Sequence, residues 1–383
     1  MNKQYFKQLD SLRLICAIFV VLHHTLYRFS PDCWMQKNIS LGDSSVSLFF
    51  VLSGFVLFYN YYQNFNFRKY VISSLTRIYP LYWVSILAFF IMVGSSHFWM
   101  GVPTTSETIS VILGIQAFVP YPHFYFGITA IGWFVSAEIF LRLIFPYLLD
   151  ICNEQKTNCC VRLVLLSIIP YTVLVLISLL ILNLNDNNAN IYLSQNKITT
   201  SAFLWFNPIA HIFQFSIGMI LGKYVIKHQQ NWKDLRKNKL FKFNSILLLL
   251  SLFLLFCTQL SFRNINTQYA VLNDIYYYTY LHILTSIASV FVILSLLINK
   301  GYICEIFNLT LLTDLGKLSF CIFLFHPVVS SVLFNNICYN SLTKEMQILI
   351  YWVCLLIVSL AMYIFIEKRL KNLAQLFLQY IGK

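Results

Sequence analysis

Ten stretches of this chain are each long and apolar enough to cross a lipid bilayer, and that leaves few folds open to it. A spanning helix takes about 20 mostly apolar residues, because each rises about 1.5 Å through a hydrocarbon core about 30 Å thick. Such runs lie at 9–29, 45–62, 75–96, 131–150, 161–183, 203–223, 243–261, 276–299, 317–337 and 346–366. The stretch from Glu107 to Val119 is apolar but short, and Pro120 and Pro122 follow it, so it reads as re-entrant or interfacial. The expected fold class is therefore all-α: a polytopic membrane helix bundle of about ten transmembrane helices plus one short re-entrant or interfacial segment. No internal repeat or low-complexity tract divides the chain, which reads as a single integral membrane domain over 1–383.

Composition agrees. The chain is 58% hydrophobic and 11% charged, against roughly a quarter charged in soluble domains. The N-terminal run is not read as a cleavable leader, since it starts after Asp10 and holds Arg13, His23 and His24. The net charge of +13 would suit a nucleic-acid partner, but the basic residues are sorted by loop. With the N-terminus inside, 21 of the 27 Lys and Arg fall on the cytoplasmic side, seven of them between Lys223 and Lys242. Five fall on the other side, and Arg142 lies within a span. An eleventh crossing at 107–119 would invert every later loop and destroy this asymmetry. Both termini are thus expected in the cytoplasm, with the bilayer rather than nucleic acid as partner.

Most of the ten cysteines lie inside apolar runs, as do Cys16, Cys257, Cys321 and Cys354, and read as buried free thiols. None has metal-ligand spacing, and Cys159-Cys160 is too tight for an ordinary bridge. A metal held by His23 and His24 is disfavoured because adjacent helical side chains diverge by about 100°.

Ionisable groups inside membrane helices usually face a cavity or a partner, so each is a candidate for function. Arg13 and His24 are eleven positions apart, which brings them to within about 20° on one helical face and roughly 16 Å apart along the axis. His23 is turned about 80° from Arg13. Asp10 either caps this helix or pairs with Arg13 three residues on. Glu138 and Arg142, spaced i, i+4, can pair on one face. Counting rise from the expected helix ends puts His24 and Glu138 at one level, roughly 20–22 Å up, with Arg142 and His326 near 14 Å. Arg77 and Arg13 sit at the inner mouth, where guanidinium groups either anchor the bundle or grip phosphates through forked hydrogen bonds.

These segments resemble the acyltransferase type 3 family, the membrane O-acetyltransferases of bacterial surface polysaccharides. The likeness is carried by Leu9-Asp10-Ser11-Leu12-Arg13 running on to His23-His24, by Phe49-Phe50-Val51-Leu52-Ser53-Gly54-Phe55, and by Arg77-Ile78-Tyr79-Pro80-Leu81-Tyr82-Trp83. It continues through Trp133, Glu138 and Pro146 to Leu315-Gly316-Lys317-Leu318-Ser319-Phe320 and His326-Pro327. Two positions depart from the pattern: Ser74 stands where an arginine is common, and Arg142 where an aromatic is.

The resemblance implies acyl-coenzyme A (acetyl-CoA above all) as donor substrate, with no resident cofactor, and a carbohydrate hydroxyl as acceptor. It also implies a bacterial cytoplasmic (inner) membrane. On this reading Arg13 and Arg77 hold the donor's phosphates, and its thioester arm runs up the Arg13–His24 face. His24 then activates the acceptor hydroxyl or itself receives the acyl group, while Glu138 orients the imidazole. Ser53, His23, Asp10, Arg142 and His326 are further candidates. A secondary transporter of a glycan or other solute would also place ionisable groups at mid-membrane, although no inverted repeat is visible. Oligomeric state stays open.

Overall fold

The computed structural model describes residues 5–30, 41–93, 102–153, 158–182, 197–228, 244–257, 269–298 and 301–381. Most of the expected basic loop, from 229 to 243, and the expected outer loop at 183–196 lie outside the described residues. Every expected apolar run carries a helix, and no strand occurs among the described residues. The first three are α1 (Gln8–Phe29), α2 (Leu41–Tyr61) and α3 (Phe67–Val93). The short pieces α4 (Thr105–Leu113) and α5 (Pro122–Tyr125) precede α6 (Gly132–Asn153) and α7 (Cys159–Ile181). Then come α8 (Ile212–Lys227), α9 (Asn244–Phe256) and α10 (Ala270–Ile298). The chain closes with α11 (Tyr302–Phe307), α12 (Thr310–Gly316), α13 (Ser319–Phe334), α14 (Ile337–Asn340), α15 (Lys344–Met362) and α16 (Lys368–Ile381).

Seven helices are long and apolar enough to cross a membrane, or eight if α12 and α13, bent by 63°, form one span. The protein is thus a multi-pass membrane bundle. Two expected spans, those on α6 and α9, are not among them. α6 carries Glu138, Arg142 and Asp150, and α9 is described over only 13 residues.

Pairwise contacts give the helix directions. Phe6 lies on Tyr59, and Gly42 lies on His23, so α1 and α2 are antiparallel. Phe49 meets Phe134 and Ser53 meets Glu138, so α2 and α6 are parallel. α1 and α13 are parallel, joined at His24–His326 and at Phe29–Phe334. α3 runs against α6, with Tyr70 on Phe145 near one end and Tyr82 bonded through Gln116 towards Gly132 near the other. The segment between α3 and α6 therefore leaves on the side it entered, as a re-entrant element should.

That segment is fastened by the aromatic run after Arg77. The Tyr79 hydroxyl donates to the Leu113 carbonyl and Trp83 Nε1–H to the Ile112 carbonyl, both at 2.9 Å. Gln116 Nε2–H donates to the Tyr82 hydroxyl at 2.9 Å. Thr104 and Glu107 close a capping box at the start of α4, and Glu107 also meets His123 at 3.5 Å. The polar tips of these rings satisfy carbonyls that a broken helix leaves open.

The tightest seam joins α2 and α8. A Cβ on Gly54 would lie 2.0 Å from the Phe215 carbonyl oxygen, and one on Gly218 would lie 1.9 Å from that of Val51. Gly218 and Gly222 have the four-residue spacing that lets membrane helices meet backbone to backbone. This contact fixes the helix that carries Ser53. A second close approach sets α12 on α1, where a Cβ on Gly316 would lie 2.4 Å from the Asp10 carbonyl oxygen.

Just before α8 the backbone runs as a π turn (Ala202–Phe206) and a 3-10 turn (Pro208–His211). Irregular backbone at membrane depth survives only where protein groups satisfy it. Here His282 Nε2–H donates to the Leu204 carbonyl at 2.8 Å and His211 Nε2–H to that of Trp205 at 2.7 Å. The described cysteines are all free, as expected; Cys16 and Cys321 are buried, but Cys257 and Cys354 are only half-buried and Cys338, within the short α14, is exposed.

Candidate active site

The walls of α1, α2, α3, α6 and α13 enclose a cavity of about 380 Å³. Its floor is polar, with Arg13, Arg77, Arg142, Glu138, Ser53 and Asn60 all on its surface. Three guanidinium groups line it against the carboxylate of Glu138 and, behind Arg13, that of Asp10.

The three arginines are held differently. Arg13 Nη1 donates to Asp10 Oδ1 at 2.9 Å, and the Tyr5 hydroxyl donates to the other Asp10 oxygen. Asp10 thus pairs with Arg13, and the helix-cap alternative is not used. Arg142, buried to 8% exposure, gives Nε and Nη2 to Glu138 Oε1 at 3.0 and 2.8 Å. Arg77 makes no hydrogen bond or ion pair among the described residues and points its charge at the cavity. A bound anion is the obvious counter-charge for it.

Glu138 Oε1 accepts a third hydrogen bond from the Ser53 hydroxyl at 2.7 Å, so α2 and α6 are tied through this one oxygen. Its Oε2 has no partner among the described residues and is left for the cavity. Tyr70, also buried, donates its hydroxyl to the Arg142 carbonyl at 2.6 Å and steadies that turn of α6.

His24 is not on this cavity. Its ring stacks on that of His326 with centroids 5.1 Å apart, and His24 Nδ1 lies 3.2 Å from His326 Nε2. Among the described residues no contact joins His24 to Glu138, and the side chain that does meet the His24 ring is His326. The depth count placed His326 well below His24 because it took Lys317 as the cytoplasmic start of its span. The 63° bend between α12 and α13 resets the level of everything after Ser319.

Hydrogen-bond accounting assigns the protons of this pair, because a carbonyl oxygen can only accept. His326 Nδ1 sits 2.7 Å from the Phe323 carbonyl and so carries a proton, leaving Nε2 as an acceptor. His24 Nδ1 sits 2.9 Å from the Val20 carbonyl and so is also a donor, shared with His326 Nε2. The lone pair of His24 is therefore on Nε2, away from His326. His24 keeps open surface, and a neutral imidazole with a free Nε2 is the form that accepts a proton.

His23 goes elsewhere, its ring packed against Gly42, where a Cβ would come within 2.7 Å of its Cγ. Adjacent histidines thus serve different surfaces, as their angular separation requires. Among the described residues no group of three or more His, Cys, Asp or Glu is arranged to hold a metal.

The family model for an acyltransferase domain matches residues 6–367, from just before α1 to the π turn Tyr363–Glu367 between α15 and α16. The chain belongs to the acyltransferase 3 family. No curated protein and no solved structure matches it. The matched span takes in every residue of the cavity and both histidines of the pair, so this membrane acyltransferase places its arginine cavity and its imidazoles within one family domain. Tyr5, just outside the match, completes the Arg13–Asp10 contact. Sequence reasoning missed it, along with His211 and His282; the proline after Asn207 was the available signal that a backbone there would need capping.

Proposed function

We propose that the protein moves a short acyl group, acetyl above all, from acyl-coenzyme A to a hydroxyl of a cell-surface or lipid-linked glycan. It does so in a bacterial cytoplasmic membrane, with both chain ends and the mouth of the arginine cavity on the cytoplasmic side. The observation that carries this reading is Arg77: a cation with no bonded partner among the described residues, beside Arg13 on a cavity of a known acyltransferase family. A polyanionic donor fits it, and a cavity of about 380 Å³ accepts the arm and part of the nucleotide.

Acyl transfer then needs a base near the thioester. His24 Nε2 takes the proton of the acceptor hydroxyl as its oxygen attacks the thioester carbonyl. The carbon–sulfur bond breaks, and the coenzyme A thiolate recovers the proton from the imidazolium. His326 Nε2, which accepts from His24 Nδ1–H, holds the ring in the tautomer this step requires. Direct acceptance of the acyl group by His24 Nε2 uses the same lone pair and is distinguished by trapping an acyl-enzyme.

A transporter reading loses its best support in the broken helix before α8, since the Leu204 and Trp205 carbonyls freed there are already taken by histidines. The test is direct: purified protein in liposomes is given radiolabelled acetyl-coenzyme A and candidate glycans. Label appearing in the glycan is expected. Coenzyme A that is neither bound nor consumed would overturn the proposal.

A further inference from the structure

The cavity ends in three rings. Along α2, α6 and α13 the lining residue furthest towards the histidine end is in each case a phenylalanine: Phe49, Phe134 and Phe323. Their centroids lie 5.9 Å apart for Phe49–Phe134, 6.4 Å for Phe49–Phe323 and 4.6 Å for Phe134–Phe323, so the rings form one continuous layer. His326 sits three residues beyond Phe323, with ring centroids 6.0 Å apart, and His24 stacks on its far side. Arginines and histidines are therefore on opposite faces of an aromatic layer.

Resting on the function proposed above, we propose that this layer is the acyl-size filter of the enzyme. The donor's anionic end is held at Arg13 and Arg77, while the hydroxyl to be acylated is held at His24 Nε2. The thioester carbonyl must reach the layer for the two to meet. Any carbon beyond the carbonyl then lies against the rings, where Phe323 and His326 have their centroids only 6.0 Å apart. A methyl group displaces these rings least. Each further methylene crowds either the rings or the acceptor hydroxyl itself.

The rings give way only by rotating about χ2, a broad and soft torsion, whereas the backbone of α2 beneath Phe49 is locked by the Gly54–Phe215 contact. The opening is thus set by side-chain volume and not by helix movement. Phe49, Phe134 and Phe323 are specificity residues on this account, and the donor class is acyl chains of two or three carbons.

The experiment measures transfer from acetyl-, propionyl-, butyryl- and hexanoyl-coenzyme A by the full-length protein in liposomes. For the wild type, kcat/KM should fall by about tenfold or more per added methylene, the range a closed apolar pocket imposes. Hexanoyl-coenzyme A should still inhibit acetyl transfer competitively, because its nucleotide end binds as before. Phe323→Leu and Phe49→Leu should raise the butyryl-to-acetyl ratio about tenfold or more, and Phe49→Trp should lower acetyl transfer with donor binding kept. Phe145→Leu, a ring in the same core but against Tyr70, should leave the profile as in the wild type.

Equal use of hexanoyl and acetyl donors by the wild type would overturn the filter without any variant. So would unchanged ratios in folded Phe323→Leu and Phe49→Leu. A wild type that transfers from no acyl-coenzyme A would instead overturn the functional reading beneath it.

Discussion

Arg77 differs from Arg13 and Arg142 in having no carboxylate within bonding distance among the described residues, and the difference is measurable. Arg77→Lys should keep the yield of folded protein and weaken binding of acyl-coenzyme A about tenfold or more. An ammonium cannot reproduce the forked contact, and hydrogen bonds to charged groups are worth about 1.5–3 kcal/mol. Unchanged donor affinity, by titration of the purified variant, would return Arg77 to an anchoring role. Glu138 makes the opposite case. Its Oε1 holds Arg142 and Ser53, so Glu138→Gln should lower the yield of folded protein, at a cost of about 3–5 kcal/mol for a broken buried pair. The swap Glu138→Arg with Arg142→Glu should recover much of that yield; a single variant that folds normally but turns over slowly would mark Glu138 as part of the chemistry. For the two adjacent histidines, His24→Ala should cut transfer by about 10²–10⁴ with donor binding retained. His23→Ala should keep most of its activity, since that ring packs on Gly42 and not on His326. Robust transfer by His24→Ala would end the base assignment.

Among the elements, α2 and α8 are the most exacting. Gly54→Ala or Gly218→Ala forces a methyl to about 2 Å from a carbonyl oxygen, and neither variant should give folded protein in a detergent size-exclusion assay. Gly222→Ala, with 3.0 Å to the Phe58 ring and 3.2 Å to a carbonyl, should be the milder change. A monodisperse Gly218→Ala protein would show that the seam can part. The spacing Gly218–Gly222 was present in the sequence, but small residues in an apolar run do not announce which helix they meet. The elements themselves were legible because apolar length and basic loops are read directly by lipid and membrane potential. The level of His326 was not, because the bend at Lys317–Leu318 leaves no mark in hydropathy. The aromatic layer was hidden for a plainer reason: three rings among 35 phenylalanines carry no distinguishing pattern until three helices bring them together.

At the scale of the whole molecule, the parallel and antiparallel pairs found here agree with a chain that changes direction at each long helix and not at 105–125. Cysteine labelling in intact cells should find 229–242 and the C-terminus protected from an impermeant reagent and 185–196 reactive. Labelling of 229–242 from outside would overturn the proposed orientation. The seam between α2 and α8 also has a mechanical consequence for a working enzyme. Packed helices commonly accommodate a ligand by sliding past one another by an ångström or two, but a carbonyl seated against a glycine on each helix blocks that slip in both directions. The wall carrying Phe49 and Ser53 then behaves as a fixed anvil. Any change in the volume of the donor chamber then falls to the side chains that line it, because α13 opposite is itself tied to α1 at His24–His326 and Phe29–Phe334.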